Sequence, residues 1–309
     1  LWDHGGGLSG VCWDDDNGND NLNLVELRDA FEAIYNSIGR KIDIVGFDAC
    51  LMGMIEVAYQ LRDYVDYVVF SQETEPGDGW PYNDILSELV ANPDINPGEL
   101  AIMMARKYVD SYNYGSQGYY AYATQSAINI SYLAEMVFRK LDRLVGILLR
   151  SYDDYNEQIL EAIRFAETFY GEGEKDLIHF LELLWSRILN PSIRNFIQLT
   201  IDAIEGAILY SGHLSGHPNA HGLSAYFPYT YSWEYENILM YSHHQWNEFI
   251  KRICGVESEV WFYDINVYGT DKNGNGMYEV CRVVVDLDSQ TSLNVSVTAY
   301  GLCDGIEYV

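Results

Sequence analysis

The chain has 309 residues, 48% of them apolar, which is enough to build one large domain or a medium domain with a small second one. Its 18 Lys and Arg against 46 Asp and Glu give a formal net charge of −28. This charge excludes nucleic acid and anionic lipid as partners bound by charge, and it attracts cations such as calcium or peptides rich in Lys and Arg. The sequence has no apolar run long enough to span a membrane, and its five cysteines are too few for a disulfide scaffold.

Strand and helix patterns alternate over the first 130 residues. The apolar spacing of Leu24–Ile38 predicts an amphipathic helix, and residues 42–47 read as a short buried strand that passes directly into a helix beginning at Cys50. The segments "VDYVVFSQ" and "GYYAYATQSA" predict two more strands, with helices over 82–90 and 97–112 between them. This alternation predicts an α/β fold with a mostly parallel sheet flanked by helices.

The second half of the chain predicts an insertion and a separate module. Residues from about 131 to 212 are helical in pattern, "AHGLSAYFP" returns to a strand, and two short helices follow. After residue 255 the sequence pattern changes to alternating polar and apolar residues, as in "EVWFYDINVYG". We therefore expect one domain over 1–255 and the start of a β-sandwich-like module over 256–309.

Two sequence motifs, "WDHGGG" and "DIVGFDAC", contain the candidate catalytic residues. His4 and Cys50 each follow the end of a predicted strand, so they meet at the carboxyl edge of the sheet if those strands are neighbours. A nearby imidazolium and the N-terminus of a helix both favour the thiolate, which is the nucleophile. Gly5 and Gly6 leave room for a substrate carbonyl and offer N–H groups to an oxyanion.

Two simpler interpretations compete with this one. A single cysteine after a strand is often a core residue, and a single histidine is often structural. The motif His-Gly-Gly-Gly also forms the oxyanion loop of lipases and esterases. That class needs a Gly-x-Ser-x-Gly nucleophile elbow, which the sequence lacks.

Three motifs taken together resemble one family. "LWDHGGG", "DIVGFDACLMG" and "SQETEPGDGWPY" resemble, in order and spacing, the clostripain family of cysteine endopeptidases, of the same caspase-like group as gingipains, legumains and separases. "HGLSAYFP" resembles a further family segment, so the resemblance covers roughly residues 1–228. It implies a caspase-like fold with additional strands before Leu1. It also implies a His4–Cys50 dyad without an obligatory third acid, and the Gly5 and Cys50 amides as oxyanion donors.

The resemblance also implies a substrate class. Members of the family cut polypeptides after Arg or Lys and hold that side chain with acidic residues, and Asp48 and Asp78 stand at matching positions. A carboxylate pairs with guanidinium through two charge-assisted hydrogen bonds, and with ammonium through fewer. The alternative is that Asp48 caps the following helix and Asp78 shapes a glycine-rich turn.

A candidate calcium loop lies in the C-terminal module. Asp271, Asn273, Asn275 and Glu279 in "DKNGNGMYE" match the first half of a calcium-loop pattern, although the same letters also fit a turn between two strands. The chemistry needs no cofactor, so calcium here would be structural. We expect a secreted or cell-surface cysteine endopeptidase. The alternative is a catalytically inert, calcium-stabilised extracellular binding module.

Overall fold

The computed structural model describes residues 1–14, 16–171, 173–256, 265–270 and 280–285. The chain divides into two compact units, Leu1–Glu257 and Ser258–Val309. The predicted boundary at residue 255 lies close to this division.

The strands of the first unit are β1 (Val11–Asp14), β2 (Asp20–Leu22), β3 (Ile42–Gly46), β4 (Val65–Phe70), β5 (Asn113–Gly115), β6 (Gly118–Tyr119), β7 (Thr124–Asn129), β8 (Glu174–Asp176), β9 (Ile208–His213) and β10 (Ser224–Tyr226). Its α-helices are α1 (Leu24–Ile38), α2 (Ile55–Leu61), α3 (Tyr82–Ala91), α4 (Pro97–Ser111), α5 (Ile130–Tyr132), α6 (Phe138–Arg150), α7 (Tyr152–Phe165), α8 (Leu177–Arg187), α9 (Pro191–Ala207), α10 (Leu239–His243) and α11 (Trp246–Ile253). A π-helical turn (Leu133–Val137) and two 3₁₀ turns (Gly7–Ser9 and Trp233–Asn237) complete the unit.

The central sheet has the strand order β3-β4-β7-β9. Strands β3 and β4 are parallel, whereas β4 with β7 and β7 with β9 are antiparallel. The fold is α/β, as predicted, but the expectation of a mostly parallel sheet is wrong. The connection from β4 to β7 contains two helices and a hairpin, so it is long enough to enter the sheet at either end of β4. The alternation of strands and helices therefore does not by itself determine the direction of β7.

Helices cover both faces of this sheet. Val68 and Phe70 of β4 belong to one buried cluster, shared with α1, α2 and the helices after residue 130. Val69, between them, belongs to a second cluster shared with α3 and α4. Since neighbouring residues of a strand point to opposite faces, the two clusters lie on opposite sides of the sheet.

The segment from 131 to 212 is mostly helical, with two differences from the expectation. It contains the short strand β8, which pairs with β10, and its last residues form β9, an edge strand of the central sheet. The helical part therefore ends at Ala207.

In the second unit the structure describes one antiparallel pair, β11 (Ile265–Thr270) with β12 (Val280–Val285). The pairing runs from Ile265 opposite Val285 to Thr270 opposite Val280. The candidate calcium ligands Asp271, Asn273, Asn275 and Glu279 lie outside the described residues.

Candidate active site

The segments that carry His4 and Cys50 lie side by side. Trp2 forms a parallel bridge with Asp48, the Asp3 amide donates to the Asp48 carbonyl at 3.3 Å, and the Asp48 amide donates to the Leu1 carbonyl at 2.9 Å. His4 and Cys50 therefore follow two neighbouring parallel segments, in the arrangement that the strand-end argument requires.

The glycine after the histidine is needed for this approach. A Cβ built on Gly5 would lie 2.1 Å from the carbonyl oxygen of Cys50, far inside van der Waals contact. Any larger residue would push the two segments apart. The backbone of the histidine is fixed as well, because the His4 carbonyl accepts from the Cys12 amide at 2.9 Å. The His4 side chain is exposed.

Cys50 does not begin a helix, which corrects the sequence interpretation. It lies in a turn, and α2 begins only at Ile55. The apolar letters after Cys50 continue a helical pattern, but a Cβ on Gly53 would lie 2.7 Å from the backbone of Ser71, so Gly53 fits tightly against the end of β4. A helix dipole therefore does not act directly on the Cys50 sulfur.

The Cys50 sulfur is held by the backbone of Glu75. The Glu75 amide donates to Sγ at 3.2 Å, and the thiol donates to the Glu75 carbonyl at 3.8 Å. The next residue, Leu51, donates its amide to the Glu73 carbonyl at 3.2 Å. The loop after β4 thus fixes the position of the half-buried thiol.

His4 and Cys50 line one cavity of about 370 Å³, which we call the Cys50 cavity. Its other lining residues are Trp2, Asp3, Asp48, Ala49, Glu75, Pro76, Gly77 and Gly79. His4, Cys50 and three acidic residues thus line a single concave site, which is the usual form of a small-ligand or substrate site.

Asp48 and Glu75 form a pair of carboxyl groups in this cavity. Asp48 is 5% exposed and accepts hydrogen bonds from the Trp80 amide at 3.3 Å and the Tyr82 hydroxyl at 2.8 Å. Glu75 accepts from Trp80 Nε1 at 2.9 Å and Gln125 Nε2 at 3.1 Å. Burial, and after it the adjacent Asp48 carboxylate, raises the pKa of Glu75 well above its usual range. The neighbouring Asp48 thus disfavours the charged form of Glu75.

Sequence reasoning missed Glu75, although a signal was present. Glu75 follows β4, the parallel neighbour of β3, so it comes to the same edge of the sheet as Cys50. Asp78, which the sequence did single out, is exposed, and it is Gly77 and Gly79 on either side that line the cavity. The Asp78 carbonyl accepts a hydrogen bond from Gln117 Nε2 at 3.0 Å, which helps to fix the position of the loop that contains Asp78.

The two predicted oxyanion donors lie next to each other. Among the described residues, no acceptor takes a hydrogen bond from the Gly5 or the Cys50 amide. Both N–H groups are therefore available to an oxygen of a bound molecule.

The first unit contains two other cysteines, Cys12 and Cys254. Burial, and then Asp3, raises the pKa of Cys12, and burial raises the pKa of Cys254. Both are thus disfavoured as thiolates. Within the described ranges, no group of three or more His, Cys, Asp or Glu side chains is arranged to hold a metal ion.

The sequence profile of the clostripain family matches residues 1–253. The chain belongs to the clostripain family. Clostripain of Hathewaya histolytica is 32% identical over an alignment of 115 residues that takes in 31% of this chain and 21% of clostripain. The match thus spans about a fifth of that curated relative's length.

Solved structures share the fold of this clostripain-family chain. A secreted C11 cysteine protease from Bacteroides thetaiotaomicron, solved with an irreversible peptide inhibitor, is 22% identical and has a TM-score of 0.55 over 79% of this chain and 71% of that chain. An inactive zymogen C11 protease from Parabacteroides distasonis is 19% identical and has a TM-score of 0.50 over 78% and 68%. These likenesses confirm the α/β fold. None of the helices described is both long and apolar enough to cross a membrane.

Proposed function

We propose that this chain is a cysteine endopeptidase that hydrolyses peptide bonds after Arg or Lys. Family membership supports the reaction class, and the Cys50 cavity supports the residues. The observation that carries the proposal is that His4, Cys50, Asp48 and Glu75 line the same cavity.

The chemistry follows the usual course of thiol peptidases. The Cys50 thiolate attacks the scissile carbonyl, and the Gly5 and Cys50 amides hold the resulting oxyanion. His4 holds the proton of the thiol and gives it to the leaving amine, which produces an acyl-enzyme on Cys50. Water, deprotonated by His4, then hydrolyses the acyl-enzyme and restores the thiol.

Specificity for a basic residue rests on the carboxyl pair. Asp48 lies two residues before Cys50 in the chain and lines the same cavity. A buried carboxylate binds guanidinium through charge-assisted hydrogen bonds, and the net charge of −28 attracts cationic peptides to the protein. Asp78 would act from the rim of the cavity.

Labelling with a peptidyl-arginine chloromethyl ketone tests the proposal. We expect a single adduct on Cys50, with Cys12 and Cys254 unlabelled because their surroundings disfavour the thiolate. The same reagent with norleucine in place of arginine should react more slowly. An adduct on another cysteine, or none at all, would favour the inert binding module.

A structural calcium at Asp271, Asn273, Asn275 and Glu279 and a secreted or cell-surface location are also proposed. The location is supported by the description of one structural neighbour as secreted. Calcium would raise the unfolding temperature of the second unit, and Asp271→Ala would remove that effect.

A further inference from the structure

A second cavity is also lined by His4. It has a volume of about 410 Å³ and is lined by His4, Gly5, Gly6, Ser9 and Trp13; we call it the Trp13 cavity. It shares His4 with the Cys50 cavity, but neither Cys50 nor the carboxyl pair lines it.

The position of Trp13 relative to His4 is fixed by the backbone. Trp13 lies on β1, and the strand is joined to the histidine segment by the hydrogen bonds from the Cys12 amide to the His4 carbonyl (2.9 Å) and from the Gly6 amide to the Gly10 carbonyl (3.0 Å). A Cβ on Gly6 would lie 2.7 Å from Cη2 of Trp13, so only glycine lets the indole ring approach this closely. The ring remains partly exposed.

The proposed reaction indicates which part of a bound substrate this cavity would contact. The acyl half of a substrate stays on Cys50, with its basic side chain toward Asp48, while the amine half leaves after it takes a proton from His4. A cavity that touches His4 but not Cys50 therefore lies on the amine side of the scissile bond.

We propose that the Trp13 cavity binds the side chain of the residue immediately C-terminal to the scissile bond, and that it selects large apolar side chains. This inference rests on the proposed peptidase function. The indole ring offers apolar and aromatic contact area, and the two glycines leave the approach free of side chains.

Charge excludes the main competitor, a basic side chain held on the indole face. The lining contains no carboxylate, and His4 becomes an imidazolium when it takes the thiol proton. A second cation in the same cavity would be repelled at that moment. An apolar side chain, in contrast, adds contact area without opposing the charge on His4.

Quenched fluorescent peptides test the selection. They share Arg before the scissile bond and carry Phe, Leu, Lys or Gly after it. For the native chain we expect kcat/KM for Phe and Leu to exceed that for Gly about tenfold, with Lys no better than Gly. Trp13→Ala should make the kcat/KM values of the four peptides similar. Trp13→Phe should keep most of the preference, and Trp185→Ala on α8 should leave the preference unchanged.

A reagent that has no residue beyond the scissile position separates this inference from the proposed function. Alkylation of Cys50 by a peptidyl-arginine chloromethyl ketone should proceed equally fast in the native chain and in Trp13→Ala. If Trp13→Ala does not fold, cleavage of a peptide library by the native chain decides, since large apolar residues should be enriched after the cut.

Two results would overturn the inference while the peptidase function stands: hydrolysis after Arg without preference for the next residue, or a preference for Lys there. A preference that survives Trp13→Ala would also overturn it. Failure of both alkylation and hydrolysis in the native chain would instead contradict the proposed function.

Discussion

The backbone nitrogen of Glu75 lies 3.2 Å from the sulfur of Cys50, and the carboxyl group of the same residue pairs with Asp48. One residue thus connects the candidate nucleophile with the acidic part of the cavity. The sulfur contact belongs to the backbone and the acidic contact to the side chain, so substitutions of Glu75 can change one and keep the other.

Asp48→Asn should lower kcat/KM for an Arg peptide about 100-fold, because it removes the charged partner of the guanidinium while keeping the shape of the side chain. Asp78→Asn is the matched control, since it removes the same charge from an exposed position. We expect a loss of less than tenfold there. Equal losses in the two variants would show that the buried position of Asp48 does not matter.

Glu75→Gln should remove a pH dependence of KM that the native chain shows. The raised pKa keeps Glu75 protonated to a higher pH than an ordinary glutamic acid, and over that range the neutral amide is a close substitute. Above its pKa Glu75 adds a negative charge to the native cavity, and KM for an Arg peptide should fall. KM of Glu75→Gln should stay level over the same range. The same fall of KM with pH in Glu75→Gln would show that another group causes it.

Gly5→Ala should lower kcat about 100-fold, since its Cβ would lie 2.1 Å from the Cys50 carbonyl oxygen and must displace His4 relative to Cys50. Gly98→Ala on α4 is the control, because its Cβ would make ordinary contacts at 3.5 Å. Steady-state kinetics and the rate of Cys50 alkylation report the effect. Unchanged values for Gly5→Ala would place the two segments farther apart than we describe.

Glu56→Gln should remove part of the pH dependence of stability. Glu56 is fully buried, accepts from the Tyr226 amide at 3.0 Å, and burial raises its pKa from 4.5 to about 7. Because the folded state holds this proton more tightly, the free energy of unfolding falls as pH rises from 4.5 to 7. The native chain should lose up to about 3 kcal/mol over this range that Glu56→Gln does not lose.

Urea denaturation at pH 5 and pH 8 measures this difference, with the exposed Glu205→Gln as control. The control should follow the native chain at both pH values. If Glu56→Gln also follows it, then the Glu56 carboxyl is not protonated in the folded state.

Parts of the fold follow from local sequence. Helix α1 has the predicted bounds Leu24–Ile38, since Asn23 and Glu26 form a capping box before it and Gly39 ends it in a left-handed conformation. The meeting of His4 and Cys50 could likewise be expected, because residues that follow neighbouring parallel segments reach the same edge.

Other parts depend on contacts that no local pattern records. Gly53 packs against the backbone of Ser71, and α2 begins only at Ile55 rather than at Cys50. The antiparallel direction of β7 depends on the path through α3 and α4. The pairing of Asp48 with Glu75 joins residues from different loops, so neither carboxyl alone predicts it.

The most direct test of the account is hydrolysis of an Arg-containing peptide by four proteins: the native chain, Cys50→Ala, His4→Ala and Cys254→Ser. We predict no turnover for Cys50→Ala, a loss in kcat/KM of about 100-fold or more for His4→Ala, and native activity for Cys254→Ser. Turnover by Cys50→Ala, or by His4→Ala at the native rate, would contradict the roles of Cys50 as nucleophile and His4 as its proton carrier.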